Sequence, residues 1–341
     1  MIVQERVSLA PLTTFHIGGL AHFFAEAHTE EEIAGALERA SSEGRTLFPL
    51  GAGSNVLVPD AGVEGVVLKV ALSDITFLND GEDMLLIAGA GILWDEVVDA
   101  VGARGLFGIE NLAGIPGTLG GAVFQNIGAY GAEIQNVFAY ADVIDSGGAK
   151  KRVTRAEAGF RYRTSVFKEK RGGVITRVAL RFVPDTGPNL AYPDLARAYA
   201  AHTPLTTPAE IAHAVRAIRK EKFPETGRAE EGTAGSFFKN PVISPQLSRD
   251  LTTRFPEVPA FPQENGTVKV SLAWILDHVL ALKGHAVGKA RLYEKQPLVI
   301  VTKSGATATE VEALAQDVEK RVFEATGIRI EREVETFGTA Q

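Results

Sequence analysis

The chain has 341 residues, room for two domains at about 150 residues each and for a substantial buried core. A net charge of −7 without any long single-sign run argues against nucleic acid as the main partner, and the absence of cysteine excludes disulfides, thiolate metal sites and cysteine nucleophiles. Hydrophobic residues at 45% and charged residues at 23% fall in the globular range, so the chain is expected to fold throughout. The N-terminus lacks an apolar leader, and no apolar run approaches the roughly 18 residues of a membrane span, which makes the cytoplasm the expected compartment. His16, His22, His28, His202, His213, His278 and His285 form no metal-ligand spacing, so no catalytic metal is expected and any redox chemistry needs an organic cofactor.

In chain order, Thr29 to Glu32 reads as a capping box, and Ile33, Leu37 and Ala40 follow at helical spacing until Gly44. Leu47 to Leu50 is a short apolar strand running into Gly51-Ala-Gly-Ser-Asn55, with a second apolar run at Val56 to Val58. Val66 to Val70 and Met84 to Ala88 read as strands, and Leu93, Val97, Ala100 and Val101 mark an amphipathic helix closed by Gly105. Residues 114 to 131 hold six glycines and no sustained period, which predicts a structured loop. Val174 to Phe182 alternates as a strand; Thr203-Pro204 and Thr207-Pro208 signal turns and a helix start near 208, so a domain boundary is expected between 185 and 225. Helices are predicted near 271 to 282 and 308 to 326, the latter capped by Thr307 with Glu310, before a final strand from Ile328 to Val334.

Glycine permits positive φ and close backbone approach, so Gly51 to Asn55 could line an anion-binding concavity or simply turn a hairpin. It is neither a Walker loop nor a dinucleotide fingerprint, since no Gly-Lys-Ser/Thr follows and Val56 stands where a third glycine belongs. Gly89-Ala-Gly91 is an ordinary turn signal. The run Glu110 to Gly121 is more informative, because so many small residues are entropically costly unless a ligand or a crowded backbone uses them.

Eight segments then fall in order: Pro49 to Leu57, Gly114-Ile-Pro-Gly-Thr118, Gln125-Asn-Ile-Gly-Ala-Tyr-Gly131, Tyr162-Arg-Thr-Ser165, Tyr192-Pro-Asp-Leu195, Gly235-Ser-Phe-Phe-Lys-Asn-Pro241, Leu282-Lys-Gly284 and Glu331-Arg-Glu-Val334. Together they resemble the UDP-N-acetylenolpyruvoylglucosamine reductase family over essentially the whole chain. Tyr192 resembles the mobile-loop tyrosine of that family's longer subclass, which closes over the substrate. The resemblance implies an α+β architecture: an FAD-binding domain of the vanillyl-alcohol-oxidase (PCMH) type over 13 to 185, a smaller α+β substrate-binding domain over 223 to 327, and a C-terminal strand, 328 to 341, returning to the flavin.

It also implies non-covalent FAD, NADPH as reductant, and the enolpyruvyl ether of UDP-N-acetylglucosamine as substrate, reduced in peptidoglycan precursor synthesis by a cytoplasmic monomer. The matching positions are Gly51, Ala52, Gly53, Ser54, Asn55, Gly114, Ile115, Gly117, Thr118, Gly120, Gly121 and Asn126 for FAD, and Tyr130, Tyr192, Lys222, Asn240, Lys283 and Gln296 for substrate. Arg163 would stabilise the enolate, Ser236 would donate a proton, and Glu333 would assist, its protonation state left open. From residues alone, Arg161 and Arg163 share a side of an extended segment, and Glu331, Glu333 and Glu335 share a face of a strand, so only the family pattern selects among them. A serine after glycine would otherwise read as a turn or cap residue. An oxidase of the same fold often carries a histidine bonded to its flavin, but no histidine lies beside Gly51 to Asn55, and His16 reads as a packing or capping residue. The stretch from Glu225 to Thr233 is longer than the family spacing and adds Glu230 and Glu231, whose role is unassigned.

Overall fold

The computed structural model describes residues 2–170, 173–184, 186–192, 195–197, 200, 205–224 and 231–338. Pro193, Asp194, Thr203, Pro204 and the stretch from Glu225 to Glu230 lie outside the described residues.

The first sheet takes strands β1 (Val3–Ser8), β2 (Leu20–Ala27), β3 (Leu47–Leu50) and β5 (Val63–Val70) in the order β1-β2-β5-β3, with helix α1 (Glu30–Ser42) between β2 and β3 and a short β4 (Val56–Leu57) before β5. α1 starts where expected: the Thr29 hydroxyl accepts the Glu32 N–H, and the face bearing Ile33, Ala36 and Leu37 packs on Leu68 and Val70 of β5. β2, β5 and β3 run parallel to one another while β1 pairs antiparallel to β2, so the carboxyl ends of the three open on one side, where β3 leads straight into Gly51 to Asn55.

The second sheet is antiparallel, in the order β11-β10-β12-β7-β6, from β6 (Ile75–Asp80), β7 (Asp83–Gly89), β10 (Phe138–Asp145), β11 (Lys150–Thr154) and β12 (Gly173–Phe182). Helix α2 (Trp94–Gly102) buries Trp94, Val97, Val98 and Val101 against it, and the Trp94 indole N–H donates to the Leu112 carbonyl at 2.9 Å. Residues 114 to 131 are not the loop expected from their composition. They contain helix α3 (Leu119–Gln125) and a minimal hairpin of β8 (Gly128–Ala129) and β9 (Ala132–Glu133). Thr118 caps α3, Asn126 ends it at φ 48°, and a Cβ on Gly120 would lie 2.9 Å from the Ala90 Cβ. Close packing of small residues replaces the apolar stripe by which helices are usually recognised.

Two short helices, α4 (Arg155–Ala158) and α5 (Val166–Lys170), precede β12, and α6 (Pro208–Lys222) opens with the Thr207/Glu210 capping box. Ile211, Ala212 and Val215 of α6 join the same core as α2 and α3.

The remaining core is built on β13 (Glu231–Ser236), β14 (Val242–Ile243), α7 (Pro245–Arg254), β15 (Ala260–Pro262), β16 (Val268–Val270), α8 (Leu272–Trp274) with a π-helical turn over Ile275–Val279, β17 (Ala286–Val287), β18 (Ala290–Leu292), β19 (Val299–Lys303) and α9 (Ala308–Thr326). Its sheets run β13-β19-β18-β17 and β14-β16-β15. Phe15 and Ile17 belong to this core although they precede β2. The Thr302 hydroxyl donates to the Phe15 carbonyl at 2.9 Å, and the Asp60 carboxylate accepts the Ala308 and Thr309 N–H groups at the start of α9. The two halves are thereby stitched at two separated points.

The strand expected over Ile328 to Val334 does not form. Arg332 makes a single bridge with Phe238, the chain bends at Glu333 and Val334, and only β20 (Glu335–Thr336) pairs, parallel to β4.

Glu110 is buried, its carboxylate accepting the Gly108 N–H at 2.6 Å, and burial holds its pKa above the ordinary carboxylate range despite that bond. Because the folded protein keeps this proton more tightly than the unfolded chain, the stability it contributes is full below the unfolded carboxyl pKa and is lost as pH rises through the folded one. Glu110→Gln keeps an acceptor for Gly108. It is expected to raise Tm at about pH 8 and to lose that advantage toward about pH 4 in thermal melts, as the parent carboxyl becomes protonated in both states.

Candidate active site

The parallel strands of the first sheet, α3 and the C-terminal tail surround one cleft of about 720 Å³. Two glycine segments make one wall. The Ser54 hydroxyl donates to the Pro116 carbonyl at 2.9 Å, tying Gly51 to Asn55 against Ile115 to Thr118. A Cβ on Gly53 (φ 62°) would come within 2.2 Å of the Leu12 carbonyl oxygen, and one on Gly51 within 2.6 Å of the Thr118 hydroxyl oxygen, so neither position tolerates a side chain. Among the described residues, the backbone N–H groups of Ala52, Gly53, Ser54, Asn55, Ile115 and Gly117 donate to no protein acceptor. Such unspent donors on a tight turn form an anion-binding concavity.

On the opposite side stand Arg163 and Glu333. The Arg163 Nε donates to Glu333 Oε1 at 2.8 Å and its Nη2 to the Gly128 carbonyl at 2.6 Å. The two side chains are 17% and 15% exposed. Burial opposes the charge on Arg163, but Glu333, Tyr162 and Glu133 outweigh it and hold the pKa upward, so the guanidinium stays charged.

The ambiguity between the two arginines is resolved by backbone geometry. Residues 161 to 164 form a closed turn, with N–H to carbonyl bonds in both directions between Arg161 and Thr164, and Arg163 sits at φ 57°. A turn, not an extended strand, sends the two side chains apart: Arg161 is 64% exposed and pairs with Glu169. The glutamates separate in the same way. Glu331 pairs with Lys239 outside the cleft, whereas Glu333 and Glu335 line it. Glu333 is further held by the Gln125 Nε2 at 3.0 Å, and its carbonyl accepts the Asn55 Nδ2 at 3.1 Å; Asn55 Nδ2 also donates to Gln125 Oε1.

Ser236 lines the cleft from the end of β13, where the pairing with β19 slips between Thr233 and Ser236 and Gly235 adopts φ 74°. A bulge of this kind re-aims the next side chain. Phe237 and Phe238, both buried, anchor the backbone just beyond it.

Residues 21–154 match the family model of an FAD binding domain, and residues 227–337 match that of the UDP-N-acetylenolpyruvoylglucosamine reductase C-terminal domain. The UDP-N-acetylenolpyruvoylglucosamine reductases of Pseudomonas putida and Escherichia coli K12 are each 36% identical to this chain, the first over 97% of both chains, the second over 98% of this one and 96% of the relative. This chain belongs to the UDP-N-acetylenolpyruvoylglucosamine reductase family. The crystal structure of the Thermus caldophilus reductase covers 98% of this chain and 100% of its own at 27% identity, with a TM-score of 0.67. The fold is accordingly α+β, a PCMH-type FAD-binding domain followed by a smaller reductase-family C-terminal domain.

Within this reductase-family cleft stand Gly51, Ala52, Gly53, Ser54, Asn55, Ile115, Gly117, Thr118, Gly120, Gly121, Tyr130, Tyr192, Lys222 and Gln296, together with Arg163, Ser236 and Glu333. Four other sequence candidates are not among the lining residues. The Gly114 N–H donates to Asp95 and its carbonyl accepts Arg219; Asn126 is buried and donates to the Arg161 carbonyl; Asn240 accepts the Leu272 N–H; Lys283 pairs with Asp277 at 2.6 Å. Conversely, Gln125, Arg219 and Phe223 line the cleft and were not singled out from the sequence, and Glu335, one of the three candidate carboxyls, lines it although the family pattern selects only Glu333. Gln125 lies inside a quoted motif, whereas nothing local marks Arg219 or Phe223.

Removing one partner of a buried ion pair strands the other, while neutralising both does not. Arg163→Met alone is expected to destabilise the fold by about 2–3 kcal/mol, and Arg163→Met with Glu333→Gln to recover most of that loss, as read by urea denaturation.

Proposed function

We propose that this chain is an FAD-dependent oxidoreductase that uses NADPH to reduce the enolpyruvyl ether of UDP-N-acetylglucosamine to UDP-N-acetylmuramate, in peptidoglycan precursor synthesis. The observation that carries it is the meeting, in one cleft, of an unspent N–H cradle with Arg163, Glu333 and Ser236. The cradle suits a pyrophosphate, so Gly51 to Asn55 and Ile115 to Thr118 would hold FAD, without a covalent bond. FAD, when bound, would supply a carrier that accepts hydride from NADPH and passes it to a carbon of the enolpyruvyl group.

An enol ether is electron-rich and resists hydride. Addition at its terminal carbon becomes feasible only if the conjugated carboxylate takes up the charge, which makes electrostatic stabilisation the main demand on the protein. Arg163 meets that demand: it is charged and fixed by Glu333 and Gly128, and among the described residues its Nη1 has no acceptor. Ser236 then gives a proton to the carbon next to the carboxylate, a carbanionic centre basic enough for a hydroxyl donor. Glu333 assists by holding Arg163 in place.

At the mouth of the cleft, Tyr130 and Tyr192 meet edge to face with ring centroids 5.2 Å apart, and Lys222 ends α6 nearby. We assign Tyr192 to the closing loop of the longer subclass and Lys222 to the diphosphate, with Gln296 on the substrate side. Asn240 and Lys283 would reach substrate only if Asn240 leaves Leu272 and Lys283 leaves Asp277. By this reading residues 13–185 carry the flavin, 223–327 the substrate side, and 328–341 close the flavin site. A working monomer is the reading that the family resemblance implies. No described helix is long and apolar enough to cross a membrane, and we propose the cytoplasm, where NADPH and nucleotide sugars are available, as the site of the reaction.

Anaerobic stopped-flow measurement separates the two half-reactions. Ser236→Ala is expected to leave NADPH bleaching of the flavin near normal and to slow recovery of its colour by the enolpyruvyl sugar by about a hundredfold or more; equal recovery rates in mutant and parent would remove the serine from its role. Tyr192→Ala is expected to raise KM for the sugar more than it lowers kcat. An unchanged KM would take Tyr192 out of the substrate site.

A further inference from the structure

Two ion pairs, not one, join the 161–168 segment to the C-terminal tail. Beside Arg163–Glu333, the Lys168 Nζ meets Glu335 Oε1 at 2.7 Å, with only 12% and 20% of the side chains exposed. Lys168 also donates to the carbonyl of Arg163 at 3.3 Å, the residue held at φ 57°. Its own helix is fixed nearby, the Ser165 hydroxyl donating to the Phe124 carbonyl of α3 at 2.6 Å. Along its backbone the tail is held at Glu333, whose N–H donates to the Phe237 carbonyl at 2.8 Å; beyond it β20 is only two residues long, with Glu335 N–H on the Asn55 carbonyl at 3.1 Å and Phe337 N–H on the Leu57 carbonyl at 2.9 Å.

We infer that Lys168 and Glu335 form a latch that positions Glu333 and the Arg163 turn while the Arg163–Glu333 pair is engaged by substrate. The inference rests on the reading of Arg163 as the group that receives the substrate carboxylate. An incoming carboxylate competes with Glu333 for the guanidinium, so a side-chain contact that helps to hold the tail in the free protein is one the reaction perturbs. A second pair two residues further along, between the same two segments, keeps the tail in register through that exchange. Because Lys168 grips the Arg163 carbonyl as well as Glu335, its loss would loosen both partners of the working pair together. Displacements of about 1 Å at a charge-stabilising group are enough to lower turnover steeply. Lys168 and Glu335 are therefore positioning residues that act through Arg163 and Glu333.

The test uses the flavin-loaded full chain with Lys168→Met, Glu335→Gln, the double variant and Lys168→Arg. Either single neutral variant is expected to speed amide hydrogen exchange at Glu335 and Phe337 and to lower kcat by about tenfold, with KM for the enolpyruvyl sugar within about twofold and flavin reduction by NADPH unchanged. The double variant is expected to be no slower than the singles, as for two halves of one contact, and Lys168→Arg to stay near the parent. Parent-like exchange and turnover in Lys168→Met would overturn the latch, as would single effects that multiply in the double variant. Arg163→Met measured alongside keeps the two readings distinct: slow turnover there with a normal Lys168→Met rejects the latch alone, whereas normal turnover in Arg163→Met rejects the assignment on which the latch depends.

Discussion

A guanidinium and a carboxylate that are largely withdrawn from water lose hydration worth several kcal/mol per ion, and their attraction returns this only when geometry and additional hydrogen bonds are good. Arg163 and Glu333 meet those conditions at 2.8 Å, with Gly128, Gln125 and Asn55 supplying the remaining bonds to the side chains or to the Glu333 carbonyl. Pairs of this kind contribute little net stability, so a fold gains little by building one. Much of the structure is nonetheless arranged around it. The tail returns from the second core to pair with β4, the 161–164 turn holds Arg163 in the left-handed region, and α3 presents Gln125 between the two. Residues separated by 170 positions are thus brought together at the mouth of the glycine cradle.

That dependence explains why the tail is not a regular strand. A straight run from Ile328 to Glu335 would put Glu331, Glu333 and Glu335 all on one face. Instead Arg332 bridges Phe238 while its guanidinium binds Glu312 and Glu319 of α9, and the bend after it delivers Glu333 and Glu335 to the cleft. The Arg332 contacts hold the tail to the second core and the Asn55 contacts hold it to the first, so the position of Glu333 reports the relative placement of both halves.

How far the residues announced these features depends on the range of the interaction involved. Capped helices were legible because Thr29, Thr207 and Thr307 act on N–H groups three residues away, and α1, α6 and α9 begin where those residues place them. α3 was missed because it is one short stretch of seven residues in which Gly120 packs on Ala90 just after β7 and only Leu119, Ala122 and Val123 are buried apolar positions, too few to show a helical period. Motif order located the cleft but not its individual walls. Gly114, Asn126, Asn240 and Lys283 belong to matching segments, yet the structure spends them on Asp95, Arg161, Leu272 and Asp277. Lys168, Arg219 and Glu335 carry charges like dozens of others in the chain, and only the fold gives them partners.

The acidic balance of the chain also takes on a different meaning at the cleft. A net charge of −7 would repel a nucleotide diphosphate at long range, but such repulsion is screened beyond about 10 Å at moderate salt. The side chains lining the cleft carry both signs, Arg163, Arg219 and Lys222 against Glu169, Glu333 and Glu335, so the backbone N–H groups of the two glycine segments set the positive potential at the cradle. Arg219 is buried enough that desolvation draws its pKa down, although Tyr130 and Asp95 act against that pull, and its Nε is committed to the Gly114 carbonyl. It therefore braces the glycine segment from behind with a charge that remains partly uncompensated. A diphosphate entering such a site replaces water around fixed positive groups instead of attracting mobile ones, and this preorganisation lets an acidic protein bind an acidic ligand.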